Sequence, residues 1–291
     1  MDNVAVPTRA WARRTMDTAA SPQVPVLMYH SVASRATPDF REFVTEPAAF
    51  RDHMAALVGG GYEPTTVSGY MSRPTNGSGK PVVLTFDDAF QDFHTTVLPI
   101  LTELGLPATL YVPTACVGET SRWLDPEGEA DRPMMSWGAV AEAAASGVEI
   151  GSHSRTHPQL DLVAKDRMRS EIHDSRSELE DRLQCEVLTF AYPFGYHNAA
   201  VRDAVGSAGY QSACAVRDLA STTLDPFAIS RWTVRHGTDA AALLELLDAR
   251  SGLVDELRSE ARAQASRALR RLGVKRPVRA QQGDGRVEVS D

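Results

Sequence analysis

The chain has 291 residues, of which 43% are hydrophobic and 23% charged, and it carries a net charge of −8. That balance is ordinary for a soluble globular protein and argues against general nucleic-acid binding, which needs a positive surface. Cys116, Cys185 and Cys214 are odd in number and show no CxxC spacing. They therefore imply neither a disulfide framework nor a cysteine zinc site, and no apolar run reaches the ~18 residues of a membrane span.

In chain order, residues 1–23 read as a loosely ordered leader. Arg9, Arg13 and Arg14 are followed by no apolar stretch, which does not fit a secretory signal, so the expected location is cytoplasmic. The apolar run at 24–30 predicts a buried strand, and helical and apolar patterns alternate from there. A helix is expected over 47–58, stopped by glycines at 59–61, then a short helix at 66–71 and a strand at 81–88. A helix over 95–104 ends at Gly105. Next come a strand at 108–112, a polar excursion over 118–133, a helix at 137–145 and a strand at 148–152. The charged stretch 164–183 keeps its apolar positions on one stripe, as an amphipathic helix does. A strand at 187–192, a helix at 199–208 and strands at 212–216 and 229–234 complete the pattern.

This βαβα alternation predicts an α/β fold with a mostly parallel sheet. Polar residues at the strand ends match barrels whose sites lie at the C-terminal face. One barrel-like domain is expected over 24–250, with a basic helical extension and disordered tail over 251–291. The extension continues a helical pattern that starts at 239. Leu257, Ala261, Ala265, Ala268 and Leu272 share one face of it, and Arg258, Arg262, Arg267, Arg270 and Arg271 lie opposite. Such a helix packs on its own domain or makes peripheral contact with an anionic membrane surface.

Two short runs carry chemistry. Thr85-Phe86-Asp87-Asp88 closes one apolar strand, and His153-Ser154-Arg155-Thr156-His157 follows another. One carboxylate and two imidazoles make a three-ligand set that leaves a divalent metal an open position for water. The second carboxylate is then free to act as a base. These parts describe a metal-dependent hydrolase.

In this order and spacing the two runs resemble the first two motifs of the polysaccharide deacetylases, the carbohydrate esterase family 4 built on the NodB homology domain. Residues 137–160, Tyr192-Pro193-Phe194-Gly195 and the opening Val26-Leu27-Met28-Tyr29-His30-Ser31-Val32 are similar to the same family, and the resemblance spans roughly 24–245. It implies a distorted (β/α)-barrel of about seven parallel strands, here with a C-terminal helical extension. It also implies that Asp88, His153 and His157 bind the metal and that Asp87 is the base. Zinc is the first expectation for that metal, with cobalt, nickel or iron(II) as alternatives. Electrostatics points the same way, because adjacent carboxylates have their pKa values pushed apart unless a cation neutralises one.

Three positions depart from the family pattern. Ala89 stands where glycine is frequent. Ala191 stands where an arginine often steadies the base, which makes Arg231 the candidate cation, against its reading as an ordinary strand-end arginine. The family's C-terminal Leu-x-His acid is met only by Val234-Arg235-His236. His30 ends the first strand instead, as in a branch that looks circularly permuted and includes poly-N-acetylglucosamine deacetylases. Val26, Met28 and His30 share one strand face, so His30 is the favoured acid and His236 the alternative.

Trp137, Tyr192, Pro193 and Phe194 are candidate sugar contacts, with plain packing as the other reading of the aromatics. Trp123 is a candidate lid residue. His94 and His197 are read as loop histidines, and His53 and His173 as surface residues. The activity implied is hydrolysis of the N-acetyl group of an N-acetylated amino sugar, as a saccharide or glycoconjugate. The alternatives are a metal-dependent amidase or deformylase acting on a non-sugar amide, and a catalytically silent carbohydrate-binding protein.

Overall fold

The computed structural model of the chain describes residues 24–72, 79–216 and 225–248. The expected leader and the basic extension beyond residue 248 lie outside the described residues. The elements, in order, are β1 (Val26–Tyr29), β2 (Ser31–Val32), β3 (Val44–Thr45), α1 (Pro47–Gly59), β4 (Tyr62–Thr65), α2 (Val67–Ser72), β5 (Lys80–Phe86), α3 (Leu98–Leu104), β6 (Thr109–Val112), α4 (Trp137–Ala145), β7 (Glu149–Ser152), α5 (Lys165–Leu183), β8 (Thr189–Ala191), α6 (Ala199–Ser207), β9 (Ser212–Cys214), β10 (Trp232–Thr233) and α7 (Ala240–Asp248).

The main sheet runs in the order β10-β1-β5-β6-β7-β8-β9, with β4 added beside the first half of β5, and every pairing in it is parallel. Parallel neighbours need crossovers, which the intervening helices supply. A parallel bridge joins Cys214 at the end of β9 to Ile229, three residues before β10. The sheet therefore curls until its ends meet, which gives the expected barrel-like shell.

Strand periodicity divides the side chains. Successive residues point to opposite faces, so Tyr29 and Phe86 pack outward against α1, while Val26, Val83, Tyr111 and Cys214 pack together on the inner face. On the outside, Phe86 stacks on Tyr29 at 5.3 Å and meets Phe50 and Phe93 edge-on at 5.8 and 5.0 Å. Burying each such side chain contributes about 1.5–3 kcal/mol. On the inside, Gly151 is required. A β-carbon there would come within 2.5 Å of the Tyr111 ring. Helix α2 closes the end where the strands begin, since its Val67 N–H donates to Thr109 Oγ1 and its Ser68 N–H to Glu149. Chemistry is left to the other end.

Several expectations change in detail. The helix expected over 95–104 opens with a π turn at Phe93–Val97. Strands β2, β3 and β4 were not anticipated, because they are only two to four residues long. His53 is not on the surface. It is fully buried, accepting from the Tyr29 hydroxyl at Nδ1 and donating from Nε2 to the Thr238 carbonyl, which ties α1 to the start of α7.

Candidate active site

Asp87 follows β5 and continues its inner-face series after Val83 and Thr85. Its N–H donates to the Tyr29 carbonyl at 3.0 Å, which sets it beside the end of β1. Both carboxylate oxygens are taken by Arg231, through Nη1 to Oδ1 at 2.6 Å and Nη2 to Oδ2 at 2.7 Å. Arg231 is 0% exposed. Its Nε donates to the Ala215 carbonyl and its Nη1 also reaches Thr85 Oγ1, and the guanidinium lies over the Tyr111 ring. Burial would raise the Asp87 pKa, but the charge of Arg231 and its two hydrogen bonds outweigh it and hold the carboxyl well below the usual range. The candidate cation for Asp87 is therefore at hydrogen-bonding distance, although it comes from a strand far along the chain.

Strand alternation would send Asp88 to the opposite face from Asp87. It does not go there, because Asp88 and Ala89 take left-handed backbone angles, φ 76° and 55°. That geometry explains why glycine suits position 89. Ser154, His157 and Phe194 are also left-handed, with φ between 57° and 62°. Strained backbone of this kind costs about 1–3 kcal/mol per residue and gathers at functional sites.

These turns bring Asp88 Oδ1 to 3.5 Å from His153 Nε2 and 3.3 Å from His157 Nε2. The three ligand atoms lie within 4.8 Å of one another, and all three residues are buried. His153 donates from Nδ1 to the Ala191 carbonyl at 2.8 Å, which leaves the Nε2 lone pair facing the cluster. Burial lowers the pKa of both histidines, His157 well below the usual range, which favours the neutral rings a metal needs. Asp88 Oδ1 has no hydrogen-bond partner among the described residues. Burial, then the neighbouring Asp87, pushes its carboxyl well above the usual range. Two neutral imidazoles and a carboxylate that needs a positive charge fit a divalent cation.

His30 directly follows β1, with Asp87 close by. Its ring packs on Phe43 at 5.0 Å, and its Nδ1 is buried without a partner among the described residues. Burial pushes its pKa down to about 4, with Asp87, Arg231 and His153 close enough to act on it. His236 is occupied elsewhere, its Nδ1 bonded to the Val44 carbonyl at 3.1 Å.

The expected sugar contacts divide. Phe194 is 48% exposed and meets the His157 ring edge-on at 4.8 Å. Trp123 stacks on the same ring at 4.7 Å, so the excursion brings a second aromatic side chain to the histidines. Tyr192 and Pro193 are buried, and the Tyr192 hydroxyl donates to the Phe227 carbonyl, a packing role in place of a sugar contact. Trp137 packs against the outer core with the Arg182 guanidinium over its ring, away from the histidines. His94 pairs with Glu142 at 2.8 Å, His197 packs on Tyr192 at 4.6 Å, and His173 is exposed beside Asp174.

Two groups were missed. Glu171 of α5 accepts from the backbone N–H of Arg155 and of Thr156, in the loop that carries both histidines. A signal existed, because Glu171 lies on the buried stripe of Met168, Ile172, Ser175 and Leu179, where an acid is out of place. Arg132 was the other. It pairs with Asp92 and Glu129 and donates to Ser31 Oγ, next to His30, which pins the excursion to the site.

Residues 75–213 match the family described as polysaccharide deacetylase. YxkH of Bacillus subtilis (strain 168), named for the same family, is 25% identical over 239 residues, covering 81% of this chain and 78% of its own. The poly-beta-1,6-N-acetyl-D-glucosamine N-deacetylase of Escherichia coli (strain K12) is 33% identical over 144 residues, covering 44% of this chain and 20% of its own. Among solved structures, the Streptococcus pyogenes deacetylase PplD in complex with acetate superimposes with a TM-score of 0.67 at 21% identity, over 79% of this chain and 100% of that one. IcaB from Ammonifex degensii gives 0.64 at 19%, over 78% and 97%. At these identities the structural likeness is one of fold.

Proposed function

We propose, from the premise that this chain belongs to the polysaccharide deacetylase family, that it hydrolyses the N-acetyl group of an N-acetylated amino sugar in a saccharide or glycoconjugate. The observation that carries the reading is a single one. Asp88, His153 and His157 converge within 4.8 Å beside a second carboxylate, Asp87, held ionised by a bidentate arginine.

A divalent ion, zinc first, held by those three residues would supply Lewis acidity to a water molecule and positive charge for a developing oxyanion. The chain's own groups do the rest. Asp87, ionised and fixed by Arg231, accepts a proton from the attacking water. The backbone N–H of Phe194 is offered as a further oxyanion donor. The amide C–N bond breaks to release acetate, and His30 gives the leaving nitrogen its proton. Burial lowers the His30 pKa to about 4, so the ring is neutral at rest and the proton it gives is the one the attacking water lost to Asp87 beside it. Trp123 and Phe194 form the aromatic sides against which a sugar ring can stack. An acid on the first strand also fits the circularly permuted branch.

Acetate release should be measured with and without chelator, on free, nucleotide-linked and oligomeric N-acetylhexosamines. Chelator-sensitive release is expected. Silence from protein shown to hold metal would move the reaction to a non-sugar amide. On the substrate so found, His30→Ala is expected to lower kcat by 10²–10⁴-fold and His236→Ala to leave it within a few-fold. If only the second variant is crippled, His30 is not the acid.

A further inference from the structure

Glu171 is 5% exposed, and its surroundings do little to neutralise it. Among the described residues its ion pair is with Arg167, 3.6 Å away and with a side chain 58% exposed. Its compensation comes from the His153–His157 loop. Oε2 accepts from the Arg155 N–H at 3.0 Å and the Thr156 N–H at 2.7 Å, and Oε1 accepts from the Thr156 hydroxyl. The loop is gripped from the other side as well, because the Ser154 and Arg155 carbonyls accept from the N–H groups of Thr114 and Ala115. Ser154 and His157, at φ 62° and 57°, flank the peptides held by Glu171. Left-handed backbone is unfavourable for residues with a side chain, so the loop keeps this shape only where other bonds over-determine it.

We propose that Glu171 is the positioning residue that fixes the two imidazoles at ligand spacing: it holds the intervening peptides in a backbone shape the loop would otherwise leave. Glu171 has no hydrogen bond to either histidine ring, and it acts through two backbone N–H groups and the Thr156 hydroxyl of the loop. The proposal rests on the reading of Asp88, His153 and His157 as metal ligands.

Cobalt(II) is a suitable probe, because its visible spectrum reports ligand geometry independently of turnover. Its affinity and spectrum should be measured on the metal-free full chain and on Glu171→Ala, Glu171→Gln and Glu171→Asp, together with the melting temperature of each metal-free protein. Glu171→Ala is expected to bind cobalt 10–100-fold more weakly, as losses around a metal ligand shell typically do, with an altered spectrum. Glu171→Gln is expected to stay within a few-fold of the unsubstituted chain. Its amide oxygen keeps both N–H bonds, and Thr156 turns its hydroxyl to accept from the amide nitrogen. If the alanine variant does not fold, the aspartate variant carries the test, since its shorter side chain withdraws the carboxylate from the loop. A variant that melts lower but binds cobalt with unchanged affinity and spectrum would overturn the proposal, leaving Glu171 a structural residue only. An unsubstituted chain that binds no cobalt would overturn the ligand set and this proposal with it.

Discussion

Asp88→Ala is expected to abolish metal binding and acetate release together while leaving the metal-free protein as stable as before, or more so. The two halves have one cause. In the folded chain Asp88 is a buried carboxyl beside Asp87, and its Oδ1 has no hydrogen-bond partner among the described residues. Removing a buried polar group that has no partner relieves a desolvation cost of about 1–3 kcal/mol, against which the small cavity left behind counts. With metal the balance reverses. A ligand that binds only the folded state adds about 2.7 kcal/mol at a hundred times its Kd, and that gain disappears with a ligand residue. Melting curves with and without zinc, alongside metal content, decide the matter. A zinc-dependent rise in Tm that survives in Asp88→Ala or His153→Ala would mean that the ion binds elsewhere.

The parts legible in the sequence were those whose chemistry is local. Asp87, Asp88, His153 and His157 sit in short runs at strand ends, and strand alternation placed His30, Val26 and Met28 on one face. Helix α4 begins and ends at the expected residues because Ser136 caps it, its hydroxyl accepting from the Ala139 N–H. What was not legible depends on where distant segments meet. Trp137 and Trp123 look alike in a sequence. Only the fold puts the first against Arg182 and the second on His157. Tyr192 sits in a motif-like run, yet its strand position turns it into the core. Adjacent acids on a strand should diverge, and the left-handed turn at Asp88 and Ala89 that prevents this has no signature in residues so unlike glycine. Glu171 was passed over because an acid on a charged helix looks solvated until its face is known to be buried.

Arg231→Met is expected to cost about 3–5 kcal/mol of stability, the usual consequence of leaving a fully buried charge without its partner. It should also lower turnover. The partner left behind is Asp87, whose depressed pKa depends on Arg231 overcoming burial. In the unsubstituted chain this group stabilises the fold above its unfolded pKa of about 3.9, and the contribution is lost as pH falls through the lower folded value. Without Arg231 burial dominates and the sign changes, so the folded carboxyl binds its proton more tightly than the unfolded one. The deficit of the variant should then shrink as the solution is acidified.

Asp87→Asn separates chemistry from packing. It should keep its metal and lose kcat by 10²–10⁴-fold, because the amide cannot accept the water's proton. Combining it with Arg231→Met should return part of the lost stability, since position 87 then holds no carboxylate left unpaired by the loss of the arginine. A double-mutant cycle measures that coupling directly. Strict additivity, with Arg231→Met costing no more than a surface change, would show that the two short bonds at 2.6 and 2.7 Å do not hold the base in solution.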